Sequence, residues 1–215
     1  MILLNRGGVL NKPNVSFVNE DSSVRYLIDI KIKYDYVDLG LPSCLKWATC
    51  NIGASSPEEY GLYFAWGETT GYTGEQVTSG VRAFSEDEYN AGPAASISAD
   101  LTLEQDAAHI NMGGNWRMPT RDEYEELFDN CDYVWTEDYN GTSVAGMIFT
   151  SKVNGKFVFF PGAGEYYNSF AQDVGSYGYY WTASCFSDGA AYFLYSDTIN
   201  YDYGSYGRSV RAVCE

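Results

Sequence analysis

The sequence predicts an α+β fold in which two main helices pack on mostly antiparallel sheets. Three observations lead to this fold class. Residues 24–36 alternate between apolar and charged positions, helix signals are concentrated between residues 56 and 131, and after residue 132 strand signals follow one another. The order of strand, helices and then strands is typical of α+β rather than α/β proteins.

The alternating segment predicts one long half-buried strand or two consecutive ones. Its period of two places seven apolar or aromatic residues on one face and charged residues on the other. The apolar face consists of Val24, Tyr26, Ile28, Ile30, Ile32, Tyr34 and Tyr36. We expect this N-terminal strand, through YLIDIKI, to pair with the C-terminal strand RSVRAV.

Helix signals occur in three segments of the middle region. In SPEEYGLYFAWGET, Ser56 as N-cap and Pro57 at the first helical position predict a short helix. TLEQDAAHINMG and PTRDEYEELFDNC predict the two main helices, and Thr120 with Glu123 forms a capping box in the second. Its apolar stripe is Tyr124, Leu127 and Phe128. Residues 68–100 lack a period and predict a long loop.

The C-terminal half contains several strand candidates. MIFTSKVNGKFVFFPG predicts a hairpin with Asn154 and Gly155 at its turn. GYYWTAS, AAYFLYS and GRSVRAV are three further strand candidates, separated by Gly, Asp and Ser.

The charge balance argues against two classes of partner. The chain of 215 residues has 13 basic and 29 acidic residues, a net charge of −16. Such a surface repels nucleic acid and anionic membranes, although acidity alone also serves solubility. No segment reaches the length of a membrane span, and MILLNRGG lacks the basic and apolar regions of a signal peptide. We therefore expect no membrane insertion, and either retention in the producing cell or exit by lysis or particle assembly.

The sequence has few of the residues and motifs that commonly form catalytic or metal-binding sites. The five cysteines contain no CxxC pair, so we expect most of them to be free and buried, and His109 is the single histidine. The sequence has no GxSxG, Walker, GxGxxG or HExxH motif. EDEYNAG and DYNGT could supply oxygen ligands to calcium, but neither has EF-hand spacing. We predict no enzyme activity and no cofactor.

Residues 182–207 have an unusual composition. Lys, Glu, Gln, Met and Trp are absent from this segment although the rest of the chain uses all five. These five residues share one genetic property, because none has a codon that ends in a pyrimidine. The segment is rich in Tyr, Ser, Gly and Asp, the mixture that antibody paratopes use for rigid contact area and adaptable hydrogen bonding.

Alternation within this segment favours a surface over a core. In AYFLYS and the residue after it, Tyr192, Leu194 and Ser196 share one face, and Phe193, Tyr195 and Asp197 share the other. A face of Phe, Tyr and Asp is more typical of an exposed binding surface than of a core.

Four segments together resemble a known family. YVDLGLPSCLKWATCNIGASSPEEYGLYFAWGET, GGNWRMPTRDEYEELFDNC, GSYGYYWTAS and GRSVRAV are similar, in this order, to Bacteroidetes-type domains related to formylglycine-generating enzymes, a branch of the C-type lectin fold. The resemblance covers residues 34–213. It implies a C-type lectin fold for residues 34–215, with residues 1–33 as an N-terminal extension leading into the first strand.

The aromatic segment between GYYW and GRSVR resembles the variable region of diversity-generating retroelement target proteins. There a reverse transcriptase mutates template adenines, so Asn codons ending in a pyrimidine become other codons of that ending. The resemblance implies that Trp181 is a buried anchor and that Tyr192, Leu194 and Val210 are scaffold. It implies a ligand-binding face made of Cys185, Phe186, Ser187, Asp188, Phe193, Tyr195, Asp197, Asn200, Tyr201, Asp202, Tyr203, Ser205 and Tyr206.

The resemblance also implies a function and partners. It suggests a non-enzymatic adhesin on a phage particle or bacterial cell surface that binds a protein or glycan receptor, with a possible homo-oligomer through the extension. The EPN or QPD and WND motifs of calcium-dependent lectins are missing, so calcium-dependent sugar binding does not carry over. Two alternatives stay open: a structural surface domain without a diversified site, and an oxidase of the formylglycine-generating type, which would need Cys185 and Cys214 as its cysteine pair.

Overall fold

The computed structural model describes residues 34–215, which form small antiparallel sheets and a few short helices. The helices are α1 (Gly74–Thr78), α2 (Glu86–Asn90), α3 (Ala107–Met112) and α4 (Arg121–Asn130), with a 3-10 helix at Pro93–Ser96. The strands are β1 (Tyr36–Asp38), β2 (Lys46–Ala48), β3 (Cys131–Thr136), β4 (Gly146–Ser151), β5 (Phe157–Pro161), β6 (Glu165–Tyr167), β7 (Phe170–Gln172), β8 (Tyr179–Ser187), β9 (Ala190–Tyr195), β10 (Thr198–Tyr203) and β11 (Val213–Cys214). The predicted α+β class is confirmed.

The strands of this region form four antiparallel sheets, ordered β1-β2-β11, β10-β9-β8, β3-β4-β5 and β6-β7. The terminal strand β11 pairs with β2, and β1 lies on the other side of β2. Most of the alternating segment, including its proposed pairing with RSVRAV, lies outside the described residues. Within them, the strand at Tyr36 is not the neighbour of β11.

Helix α4 begins as its sequence predicts. The Thr120 side chain accepts a hydrogen bond from the Glu123 N–H, and the Glu123 carboxylate accepts one from the Thr120 N–H. Tyr124 and Leu127 are fully buried, and Phe128 is partly buried against the same cluster. Helix α3 is also present but shorter than TLEQDAAHINMG, and Asp106 caps its first turn.

The predicted hairpin is confirmed as strands β4 and β5. Its connection contains Asn154 and Gly155, and Gly155 has a φ of +71°, a conformation that glycine adopts without strain. The Gly155 N–H donates to the Ser151 carbonyl at 3.0 Å, which closes the turn.

The helix predicted at Ser56 is wrong. The Glu59 N–H donates to the Ser56 carbonyl in a turn, and Gly61 then has a φ of +76°. The side chains of residues 62–66, which follow this turn, are all buried. A surface helix would bury only one of its faces. The Trp66 Nε1–H donates to the Thr182 carbonyl, so this segment lies directly beneath strand β8.

The long loop predicted at residues 68–100 is also wrong. The segment forms α1, α2 and the 3-10 helix, and Thr73 and Ser85 cap the two α-helices. Each of these helices has a buried side chain, and Phe84 between α1 and α2 is buried too. The sequence shows little period because helices of five residues are too short to repeat an apolar stripe.

Two buried clusters lie on opposite faces of the sheet β10-β9-β8. Trp181 and Phe193 belong to the first cluster, which also contains the residues from Ile52 to Ala108 that pack beneath the sheet. Tyr180 and Leu194 belong to the second, which contains the buried side chains of α4, β4 and β5. Because successive strand residues point to opposite faces, one sheet serves both clusters.

Arg211 connects the terminal segment to the chain around β2. Its guanidinium is fully buried and donates to the Ala48 and Thr49 carbonyls and to Asn51 Oδ1, at 2.8 to 3.0 Å. Burial lowers the pKa of Arg211. The same side chain lies over the Phe160 ring at 4.5 Å.

We expect Arg211→Met to lower the free energy of unfolding by about 2 kcal/mol or more, because two carbonyls and the Asn51 amide oxygen would lose buried donors. Urea denaturation followed by tryptophan fluorescence measures this loss. Arg121→Met is the control, since Arg121 is partly exposed and its loss is expected to change stability by about 0.5 kcal/mol or less. Equal losses in the two variants would contradict the assigned role of Arg211.

Candidate functional site

The segment with the unusual composition forms most of the sheet β10-β9-β8. Strand β9 lies in the centre and pairs with β8 on one side and β10 on the other. Strand β10 was not among the predicted strands, because its sequence TINYDY lacks aliphatic alternation. Strand β10 pairs with β9 along its whole length, from Thr198 opposite Tyr195 to Tyr203 opposite Ala190.

The sheet divides the predicted ligand-binding residues between its two faces. Asn200 and Asp202 lie opposite Phe193 and Ala191, so they share the face of Phe193. Tyr201 lies opposite Tyr192 and shares the face of α4. Alternation continues this pattern to Tyr203, which lies on the α4 side.

On the α4 side, three aromatic rings form a contact group that we call the aromatic patch, consisting of Phe186, Tyr192 and Tyr201. The rings of Phe186 and Tyr201 stack with centroids 3.6 Å apart and an interplanar angle of 12°. Phe186 also contacts Tyr192 edge-on, at 5.4 Å. Phe186 and Tyr201 are 42% and 52% exposed, and the nearby Tyr203 is 63% exposed. These stacked rings form an aromatic surface open to solvent.

On the opposite face, predicted residues stack on tyrosines that the prediction missed. Tyr195 stacks on Tyr177 at 5.2 Å, and Tyr206 stacks on Tyr167 at 4.7 Å. Tyr177 and Tyr167 lie outside residues 182–207, so the composition of that segment could not identify them. The aromatic-rich strings EYYNSF and GSYGYYW around them were the available signal.

The structure corrects the expected exposure of Phe193 and Ser205. Phe193 is 4% exposed and Ser205 is 1% exposed, so neither lies on an accessible face. Phe193 is covered by the Arg208 guanidinium, 3.7 Å from its ring centroid. Ser205 follows Gly204, where any side chain would clash with the Tyr89 ring. The segment therefore enters the core at this point.

The other predicted residues have accessible surface. Phe186, Ser187, Asp188, Asp197, Asn200, Tyr201 and Tyr203 are exposed, and Cys185, Tyr195, Asp202 and Tyr206 are half-buried. Trp181, Leu194 and Val210 are buried as expected, whereas Tyr192, expected to be scaffold, is half-buried within the aromatic patch.

Arg208 supports the sheet from the side of the first cluster. It is buried, pairs with Glu165 at 2.6 Å and Asp202 at 2.9 Å, and lies over the rings of Trp181 and Phe193. Burial raises the pKa of Glu165, and the Arg208 guanidinium opposes that rise. Among the described residues, Arg208 Nη1 has no hydrogen-bond acceptor, and the guanidinium lies against aromatic rings.

Two side chains of β10 accept hydrogen bonds from backbone N–H groups of the same strand, which forms the free edge of the sheet. The Tyr201 N–H donates to Asn200 Oδ1 at 2.9 Å, and the Tyr203 N–H donates to Asp202 Oδ1 at 2.8 Å. These side chains occupy donors that an added strand would otherwise use.

In residues 34–215 the cysteines form no disulfide, and the histidine lies beside a backbone carbonyl. All five cysteines are free, but only Cys131 and Cys214 are buried. Burial raises the pKa of Cys185, and the Asp100 and Asp188 carboxylates raise it further, which disfavours the nucleophilic thiolate. Burial also raises the pKa of Cys214. His109 Nδ1 lies 3.2 Å from the Trp116 carbonyl oxygen.

The two segments considered for calcium are engaged in local hydrogen bonds. Glu88 accepts the Ala83 N–H, and Asp138 accepts the Ser143 N–H at 2.6 Å. From residue 34 onward, no group of three His, Cys, Asp or Glu side chains could hold a metal ion. Within the same range, no helix has the length and apolar character needed to cross a membrane.

Comparison with known proteins gives no relative for this chain: no protein-family model, curated protein or solved structure matches it.

The two partners of Arg208 are expected to contribute unequally to stability. Glu165→Gln should lower the free energy of unfolding by about 3 kcal/mol, because Glu165 is buried beside a buried cation. Asp202→Asn should cost about 1 kcal/mol or less, because Asp202 is half-exposed and the amide keeps an acceptor for the Tyr203 N–H. Guanidinium denaturation of both isosteric variants measures the difference. A loss for Asp202→Asn as large as that for Glu165→Gln would contradict this order.

Proposed function

We propose that this chain is a non-enzymatic ligand-binding protein that displays a diversified, tyrosine-rich surface. The observation that carries the proposal is the coincidence of two independent features. The exposed rings of Phe186, Tyr201 and Tyr203 lie within the same segment that contains only residues with pyrimidine-ending codons.

The chemistry of these side chains suits recognition. Tyrosine and phenylalanine contribute large contact areas and lose little conformational entropy, since each has two side-chain torsions. Ser187, Asp188 and Asn200 of the same segment are exposed and supply hydrogen-bonding groups. A ligand would bury the rings for affinity and use the polar groups for orientation.

The sheet interior is suited to hold such a surface while its exposed residues change. Trp181 is fully buried, and its Nε1–H donates to the Phe64 carbonyl at 2.9 Å. Arg208 lies over the Trp181 ring at 4.4 Å. Neither residue belongs to the exposed set, so substitution at the surface leaves these contacts in place.

The resemblance supports a C-type lectin fold of the formylglycine-generating-enzyme branch for residues 34–215. It also supports an adhesin on a phage particle or bacterial cell surface, with a protein or glycan receptor and with oligomerisation through residues 1–33 as further parts of the proposal. The raised pKa values of Cys185 and Cys214 disfavour the thiolates that the oxidase alternative would use. A structural surface domain with the same fold is the rival function.

DNA sequencing tests the proposal directly. We expect the DNA beside the gene to contain a near-copy of its 3′ end and a reverse-transcriptase gene. In a population of the source organism, deep sequencing should show substitutions at template adenines within codons 182–207. Codons 131–161, which encode β3 to β5, are the internal control and should stay uniform. A flanking region without either element would reject diversification and favour the structural rival.

The tolerance of the surface to substitution gives a second prediction. A library that places pyrimidine-ending codons at the exposed positions Phe186, Asp188, Asn200, Tyr201 and Tyr203 should consist mostly of folded variants, because exposed substitutions change stability by about 0.5 kcal/mol or less each. Protease resistance on the yeast surface measures the folded fraction.

The matched control library varies five buried positions: Trp181, directly before the segment, and Thr182, Phe193, Leu194 and Ser205 within it. It should be mostly unfolded, since truncating a large buried side chain costs about 2–5 kcal/mol. Similar folded fractions in the two libraries would refute the division into display surface and fixed interior.

A further inference from the structure

A groove runs along the border between the aromatic patch and helix α4. It has a volume of about 400 Å³, and we call it the α4–β10 groove. One wall is formed by Arg121, Glu125 and Phe128 of α4 together with Tyr133 of β3. The other wall includes Tyr192 of β9 and Asp197 in the turn before β10. The groove therefore joins residues of the 182–207 segment to residues outside it.

The charges of the groove leave one carboxylate unpaired. Arg121 forms an ion pair with Glu125, one turn further along α4, and a longer one with Asp122 at 3.6 Å. Its guanidinium also lies over the Tyr192 ring, 5.2 Å from the centroid. Asp197 is exposed and forms no ion pair with any residue from 34 to 215. The single cation of the groove is thus already engaged, and Asp197 is open to a ligand.

The wider surroundings carry charge of the same sign. The segment 182–207 contains Asp188, Asp197 and Asp202 but no Lys or Arg, and the whole chain has a net charge of −16. Asp202 is compensated by Arg208, whereas Asp188 has no ion pair within the described part of the chain. This field attracts cations to the groove and repels anions from it.

The aromatic wall suits a long basic side chain. Phe128 and Tyr133 contact each other edge-on with centroids 5.3 Å apart, and Tyr133 is exposed. Lysine and arginine lay their methylene stems along apolar surface while the charged end reaches a polar partner. An aromatic ring beside that cation adds a further attraction. A stem lying against Phe128 and Tyr133 would bring its cation towards Asp197.

We propose that the α4–β10 groove binds a lysine or arginine side chain of the protein receptor. This inference rests on the proposed binding function and refines it. It predicts that the receptor has a basic side chain close to the part of its surface that contacts the aromatic patch. Receptor recognition would then combine contact to the aromatic patch with a groove contact. The groove joins Asp197 and Tyr192 of the 182–207 segment to Phe128 and Tyr133 outside it.

A titration with defined probes tests the inference on the full chain. The protein is labelled with ¹³C in its tyrosine rings and titrated with acetyl-Gly-Lys-Gly-amide and its arginine counterpart. Acetyl-Gly-Glu-Gly-amide and maltotriose serve as comparison probes. We expect only the basic peptides to shift the Tyr133 and Tyr192 signals in a saturable manner.

Two variants with the same change in net charge separate site binding from general attraction. Asp197→Asn should weaken binding of the basic peptides by about 3-fold or more, since it removes the open carboxylate. Asp87→Asn, on the exposed face of α2, should leave the affinity unchanged.

Equal weakening by the two variants would show a non-specific charge effect and overturn the inference. Saturation by maltotriose at the same signals would assign the groove to a glycan and overturn it as well. The absence of saturable shifts up to about 50 mM basic peptide would also reject it. None of these results affects the sequencing test, so the proposed function can stand when this refinement fails.

Discussion

The contact between the buried Arg208 guanidinium and the aromatic interior of the sheet β10-β9-β8 is the interaction on which the rest of the site depends. A buried cation is costly unless nearby groups compensate it, and here two carboxylates and several rings do so together. Glu165 comes from β6 and Asp202 from β10, so one side chain links the sheet to a neighbouring hairpin. The cation lies over the buried Phe193 ring, and the exposed rings of Phe186 and Tyr201 lie on the other face of this sheet.

The sheet has a buried side chain on each face at its centre and exposed side chains towards its edge and ends. Phe193 and Leu194 belong to different clusters, so at these two positions of β9 neither face is open to a ligand. Contact with a ligand is left to Tyr192 of β9, to β10, to the end of β8 and to the turns. This arrangement explains why the accessible predicted residues fall into two groups and why the larger rings meet solvent beside α4.

Short-range signals predicted the local elements well, and long-range packing explains the failures. The Thr120 capping box and the Asn154–Gly155 turn depend on residues within a few positions, and both are present. The segment after Ser56 has good helix-start residues, but tertiary contacts bury its continuation on all sides. In the candidate site, alternation separated Phe193 from Leu194 correctly, but it could not show that a cation from residue 208 covers the supposedly exposed face. Tyr167 and Tyr177 approach the segment only through the fold, so composition could not identify them.

The side chains that close the β10 edge have a consequence for any repertoire of variants. The Asn200 and Asp202 side chains have surface accessible to solvent, and each also accepts a hydrogen bond from the N–H of the following residue. A glycine or tyrosine at either position would supply no such acceptor and would expose a strand edge capable of joining another molecule. Selection among the variants would then act on their tendency to aggregate as well as on their affinity for the ligand. Short polar side chains at these two positions would be favoured even when they contribute nothing to the ligand.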